Sequence, residues 1–149
     1  MDLSWTIEGD KQISRRLEGL KSNLKNFKPA FKDASEMLVG IFSKDVFSTK
    51  GSVIDENWPR LSPNTIKQKI KRGFGIQPLI ATGTMQGSFK SVVDTDMAVI
   101  SNKAEYFKYH QSNKPRRHLP RRVMMKIGNN QKVEVVRIFQ AYIQESLQK

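Results

Sequence analysis

His110 and His118 are the only two histidines in this chain, so a metal centre or an imidazole base would have to start from them. They stand eight residues apart with no cysteine anywhere, and the nearest acid, Glu105, precedes both. Zinc sites are built from Cys, His and carboxylate ligands at short spacings, and ordinary loop or cap roles describe these two residues better. Ser62, Ser88 and Thr82 are available hydroxyls, but none stands in a G-x-S-x-G turn that would expose it as a nucleophile. Gly73-Phe74-Gly75 lacks the Lys-Ser/Thr that completes a phosphate loop. A metal-dependent nuclease needs carboxylates converging beside a basic groove. The pairs Asp55 with Glu56 and Asp94 with Asp96 fall where turns are expected. No catalytic, metal or cofactor-binding residue is therefore assigned, and the chain is expected not to be an enzyme.

Charge is the stronger signal. The formal net charge is +12 over 149 residues, from 26 Lys and Arg against 14 Asp and Glu. Its distribution is uneven. No acid occurs from Asn57 to Val93, a stretch holding Arg60, Lys67, Lys69, Lys71, Arg72 and Lys90. None occurs from Tyr106 to Val133 either, where Lys108, Lys114, Arg116, Arg117, Arg121, Arg122, Lys126 and Lys132 lie. Those two blocks hold 14 of the 26 basic residues, and the rest of the chain is close to neutral. A field localised in this way favours a polyanionic partner, nucleic acid first. A solvated basic face, or one that meets an acidic protein, is the plainer alternative. Phosphate contact by itself reads no sequence.

Elements that could position these residues follow an α+β pattern. Leu3 to Glu8 alternates apolar and polar up to Gly9, a period-2 strand. Ile13, Leu17, Leu20, Leu24 and Phe27 then form one stripe on a helix over 10–26. Pro29 suits the first turn of a second helix, which carries Phe31, Ala34, Leu38, Ile41, Phe42 and Val46. Ser62 as N-cap and Pro63 as first helical residue predict a short basic helix to Lys71 or Arg72. Phe89–Val93 and Met97–Ser101 read as a hairpin, and Val123–Ile127 as a further strand. Residues 104–111 suggest a turn or two of helix. A last helix over 133–147 is marked by Val136, Phe139, Ile143 and Leu147. The expectation is one domain over 1–149, with a small, mostly antiparallel sheet packed against two long N-terminal helices and a C-terminal helix. Residues 48–57 and 113–122 are expected to be extended loops. With 38% hydrophobic residues, no cysteine, no apolar run near 20 residues and no basic, apolar leader, a cytosolic protein without disulfides is expected.

A larger pattern joins these pieces. Phe47, Gly51, Trp58-Pro59-x-Leu61-Ser62-x-x-Thr65-x-Lys67 is followed by Leu79-Ile80-x-Thr82-Gly83-x-Met85-x-x-Ser88. Tyr106-x-x-Tyr109-His110-Gln111 comes next, then Pro115-Arg116-Arg117 and Leu119-Pro120-Arg121-Arg122. In this order the motifs resemble the phage virion morphogenesis family, which includes tail-completion proteins of Mu-like and related contractile-tailed phages. The likeness spans roughly residues 40 to 125. The chain departs from the family at Ser112-Asn113, where a Gly commonly follows His-Gln, and in its doubled Pro-Arg block.

What the resemblance implies is a structural ring subunit, hexameric in expectation, at the head–tail junction of a virion assembled in the bacterial cytoplasm. Such a subunit completes or terminates the tail and makes it competent for head joining. Its partners would be further copies of itself, other neck, tail tube, sheath or head-closure proteins, and DNA passing without sequence recognition. No membrane and no cofactor are implied. Arg116, Arg117, Arg121 and Arg122, with Lys67, Lys69, Lys71 and Arg72, are the candidates for DNA- or partner-facing charge. Trp58, Leu61, Thr82, Gly83, Tyr109, His110 and Gln111 are the candidate interface or structural anchors, and the Trp58 indole N–H is expected on a backbone carbonyl. The alternative reading is a free basic nucleic-acid-binding protein.

Overall fold

A computed structural model describes residues 10–114 and 117–148. The expected strand over 3–8 lies outside the described residues, as does Arg116. The chain runs α1 (Asp10–Asn23), α2 (Lys28–Gly40), a π-helical turn (Ile41–Asp45), α3 (Val46–Ser48) and a 3-10 turn (Ser52–Ile54). It continues through α4 (Pro63–Lys71), a second 3-10 turn (Gln86–Ser88), β1 (Phe89–Val93), β2 (Ala98–Asn102), α5 (Phe107–Gln111) and α6 (Asn129–Gln148). This is a small α+β fold with a two-stranded antiparallel sheet.

Helix α2 is the spine. Its buried residues Ala30, Ala34 and Leu38, then Phe42 and Val46 beyond it, recur every fourth position. On a regular α-helix, a repeat of four drifts about 40° per step around the axis. The π-helical turn, where Val46 N–H donates to the Ile41 carbonyl, widens the coil at that point. That correction keeps Phe42 and Val46 on the face that began at Ala30. Both are at most 1% exposed.

The sheet lies on this face. β1 and β2 pair antiparallel from Phe89↔Asn102 to Val93↔Ala98, close to the boundaries the alternation predicts. Phe89, Ser91, Val93, Ala98, Ile100 and Asn102 take one face and are all at least partly buried. Val92 and Val99 turn outward at 71% and 47% exposure. Phe89 meets Phe42 at 6.0 Å and Phe107 edge-on at 5.8 Å. The core continues through Val46, Phe47, Ile54, Trp58, Met85, Val123 and Met124.

Three expectations are corrected. Residues 48–57 do not form an extended loop. Gly51 N–H donates to the Val46 carbonyl at 2.8 Å, its own carbonyl accepts from Ile54 and Glu56, and Trp58 N–H returns to the Lys50 carbonyl. Gly51 has φ +85, and a Cβ there would lie 1.9 Å from the Glu56 carbonyl oxygen, so only glycine closes this turn. Residues 123–127 form no strand ladder with any described strand; side chains bond the backbone of 123–125. Finally, α6 begins at Asn129 rather than 133. The Asp55 carboxylate accepts the Asn129 N–H at 3.0 Å, an anion at a helix N-terminus supplied from 74 residues away.

Candidate functional site

The motif residues converge on one place, and most of them hold the chain to itself. Trp58 is 8% exposed and stands edge-on to Phe47 at 5.5 Å. The carbonyl its indole N–H finds is that of Val123, at 2.7 Å. Gln111 works on the same segment. Its side-chain oxygen accepts from the N–H groups of Met124 and Met125 at 2.9 and 3.2 Å, and its side-chain N–H donates to the Met125 carbonyl at 2.7 Å. One amide thus does for residues 123–125 what a neighbouring strand would have done.

Arg122 is the main correction. Expected to face DNA or a partner, it is 4% exposed. Its Nε and one terminal nitrogen donate to the Pro59 carbonyl at 3.0 and 2.9 Å, and that nitrogen also reaches the Arg60 carbonyl at 3.2 Å. Its backbone N–H donates to the His110 carbonyl at 3.1 Å. Burial lowers its pKa from the ordinary guanidinium value. A guanidinium has five donors in a fixed fork, and here three contacts go to carbonyls of one bend. Arg122 therefore clamps the Trp58-Pro59-Arg60 corner onto the extended segment.

Lys69 is corrected in the same way. Its ammonium donates to the carbonyls of Gln77 and Ile80 at 2.6 and 2.7 Å, fastening α4 to the loop that follows. Burial first, and the Arg122 charge second, lower its pKa below the usual 10.5. Of the remaining basic candidates, Lys67, Lys71, Arg72, Arg117 and Arg121 are exposed. Four residues apart on α4, Lys67 and Lys71 share one face, while Lys69 takes another. The helix itself starts where the pattern predicts, Ser62 Oγ accepting the Thr65 N–H at 3.2 Å.

Of the other anchors, Leu61, His110 and Gln111 are half-buried, Thr82 is exposed and bonded to Thr84 Oγ1 at 2.8 Å, and Gly83 has φ +80. Tyr109 is 38% exposed, with the Lys108 ammonium 5.2 Å from its ring centroid. A recess of about 330 Å³ opens among Arg60, Lys69, His110, His118, Leu119 and Arg122. It is positively charged, and no carboxylate lines it. Among the described residues no group of His and acids is arranged to hold a metal ion. Three of the four carboxylates in the two pairs have structural work instead. Asp55 caps α6, Glu56 pairs with Lys126 at 2.8 Å, and Asp94 accepts from the Thr95 N–H at 2.7 Å in the hairpin turn.

Sequence reasoning passed over two anchors. Asn102 joins the Met85 carbonyl to the Ala104 N–H, at 2.7 and 2.9 Å. Gln131 is 3% exposed and donates to the Val53 carbonyl at 2.9 Å. Neither residue type nor spacing announces a partner that distant.

The outer surfaces are different in kind. Leu17 on α1 is 58% exposed, and Val133, Val136 and Leu147 on α6 are 50%, 52% and 59% exposed. The opposite side of α6 turns inward at Gln131, Val135, Phe139 and Ser146, Phe139 meeting Phe31 edge-on at 5.0 Å. No helix among the described residues is long and apolar enough to cross a membrane. No protein-family model, curated protein or solved structure matches this chain.

Proposed function

We propose that this protein is a non-enzymatic structural subunit of a tailed-phage virion, closing into a hexameric ring at the head–tail junction. The observation that carries the reading is the ordered run of motifs from Trp58 to Arg122. Residues far apart in sequence, which together resemble tail-completion proteins, meet in one bonded knot. A shared motif that specifies a scaffold is what a structural family would keep.

Two further features support it. Exposed apolar side chains on α1 and α6 give one subunit two different surfaces, as head-to-tail ring closure requires. Exposed Lys67, Lys71, Arg72, Arg117 and Arg121 offer charge to phosphates without any device for reading bases. In this role the subunit completes or terminates the tail, meets neighbouring neck, tail or head-closure proteins, and lets DNA pass.

Light scattering across a salt series, with negative-stain images, tests the architecture. A closed species near six subunits with a central hole is the expected result. Absence from purified particles, together with failure to form rings alone or with its virion neighbours, would defeat the proposal. A monomer whose DNA affinity falls steeply with salt would favour the free nucleic-acid binder instead.

A further inference from the structure

The sheet stops one strand short of its helices. Between β2 and α6, over the floor made by α2, runs a groove of about 390 Å³. Phe31 and Leu38 form its floor, Ile100 one wall, Val135 and Phe139 the other, and Met125 also lines it. β2 contributes Ala98 and Ile100 to this lining and β1 contributes nothing, so the groove follows the edge of β2 that β1 does not pair. Among the described residues no backbone hydrogen bond reaches that edge. An open strand edge beside an apolar trough is suited to a strand with one apolar face.

The sequence carries the pattern of such a strand. Leu3, Trp5 and Ile7 alternate with Ser4, Thr6 and Glu8, which puts three large apolar side chains on one face. Six extended residues span about 20 Å, close to the length of β2. The charged and hydroxylic set would face solvent, continuing the outer face that carries Lys90 and Ser101.

Chain connectivity argues that the strand fills another subunit's groove. Only Gly9 separates Glu8 from the start of α1 at Asp10, a step of about 3.8 Å per residue. The strand therefore goes where the start of α1 goes. The body holds the far end of the helix: Phe27 stacks on Phe139 and Tyr142, and the Tyr142 hydroxyl donates to the Asn26 carbonyl. From there α1 runs 14 residues, about 21 Å, and Ser14 to Gly19 are all exposed. A helix lying along its own domain would bury one side of that stretch. We propose that residues 3–8 of one copy form the third strand on β2 of the next, with the α1 stripe around Leu17 covered by the same contact. This deepens the ring reading and rests on it, since it names the contact that closes the ring.

Because the chain has no cysteine, a thiol-specific test carries no background. The full chain is prepared as Ile7→Cys, as Ile100→Cys and as the double variant, and treated with a short bis-maleimide after its solution mass is measured. Mixing the two single variants is expected to give cross-linked pairs. The double variant is expected to give a ladder up to the ring size, and a chain lacking residues 2–8 is expected to fall to monomer. Rings without any cross-link would overturn the strand exchange and leave the ring reading standing. A cross-link confined within single chains would place the strand in its own groove and overturn the exchange. Monomers that give no cross-link at all, alone or with purified particles from which the protein is absent, would defeat both.

Discussion

The knot around Trp58 and the outer faces of α1 and α6 are built on opposite terms. In the knot, every conspicuous residue is used up internally: the Trp58 indole on Val123, the Gln111 amide on Met124 and Met125, the Arg122 guanidinium on Pro59 and Arg60. On α1 and α6, inconspicuous Leu and Val side chains are half or more exposed to solvent. Trp58, Gln111 and Arg122 tie the fold together, and in the proposed ring the unremarkable residues are the ones left to join it to others. Of the conspicuous side chains, Trp58 and Arg122 face the fold's own interior.

That contrast can be broken from either side. Trp58→Ala should have the largest effect on stability, about 4 kcal/mol, because it empties the core and orphans the Val123 carbonyl. For a chain of this size that is about 10 °C in Tm, read by calorimetry. Gly51→Ala should cost about 3 kcal/mol, since it adds backbone strain at φ +85 to a clash with the Glu56 carbonyl. Arg122→Met should cost about 2 kcal/mol through unpaired carbonyls at Pro59 and Arg60. If it instead left Tm unchanged and weakened only DNA binding, the clamp would be wrong and the residue a phosphate contact after all.

Asp55→Ala should cost about 1 kcal/mol by uncapping α6, visible as earlier fraying of that helix in hydrogen exchange. Val136→Ser with Leu147→Ser should shift stability by no more than about 0.5 kcal/mol while reducing assembly in light scattering. Equal loss of both would erase the distinction between the two regions. The smallest effect concerns Lys69. Its native pKa lies below 10.5, so in the window just under that value the unfolded chain binds more protons than the native one. Stability contributed by this group therefore rises with pH there, and the slope should flatten in Lys69→Gln.

Local signals were legible in the sequence and distant ones were not. Ser62-Pro63 announced α4, and alternation announced β1 and β2, because caps and pleats are decided by neighbours within a few residues. Residues 123–127 were read as a strand since their pattern says extended, yet the partner is a glutamine side chain 13 and 14 residues earlier. Arg122 was assigned to the surface because a Pro- and Arg-rich run usually is solvated; its carbonyl partners lie 62 and 63 residues away. The stripe on α1 was visible, but periodicity says only that a face needs cover, never whose. Carboxylate pairs looked the least informative, and Asp55 proved to start the last helix.

Those long ties also govern when the subunit can exist. Val53 meets Gln131, Asp55 meets Asn129 and Trp58 meets Val123, so the centre has no partners until the C-terminal third has left the ribosome. Contacts of such sequence separation slow folding. A nascent chain cut short before Val123 would have neither clamp nor capped helix. In the proposed ring role, synthesis itself would act as a checkpoint, since only chains extended past Gln131 can make the ties that finish the fold.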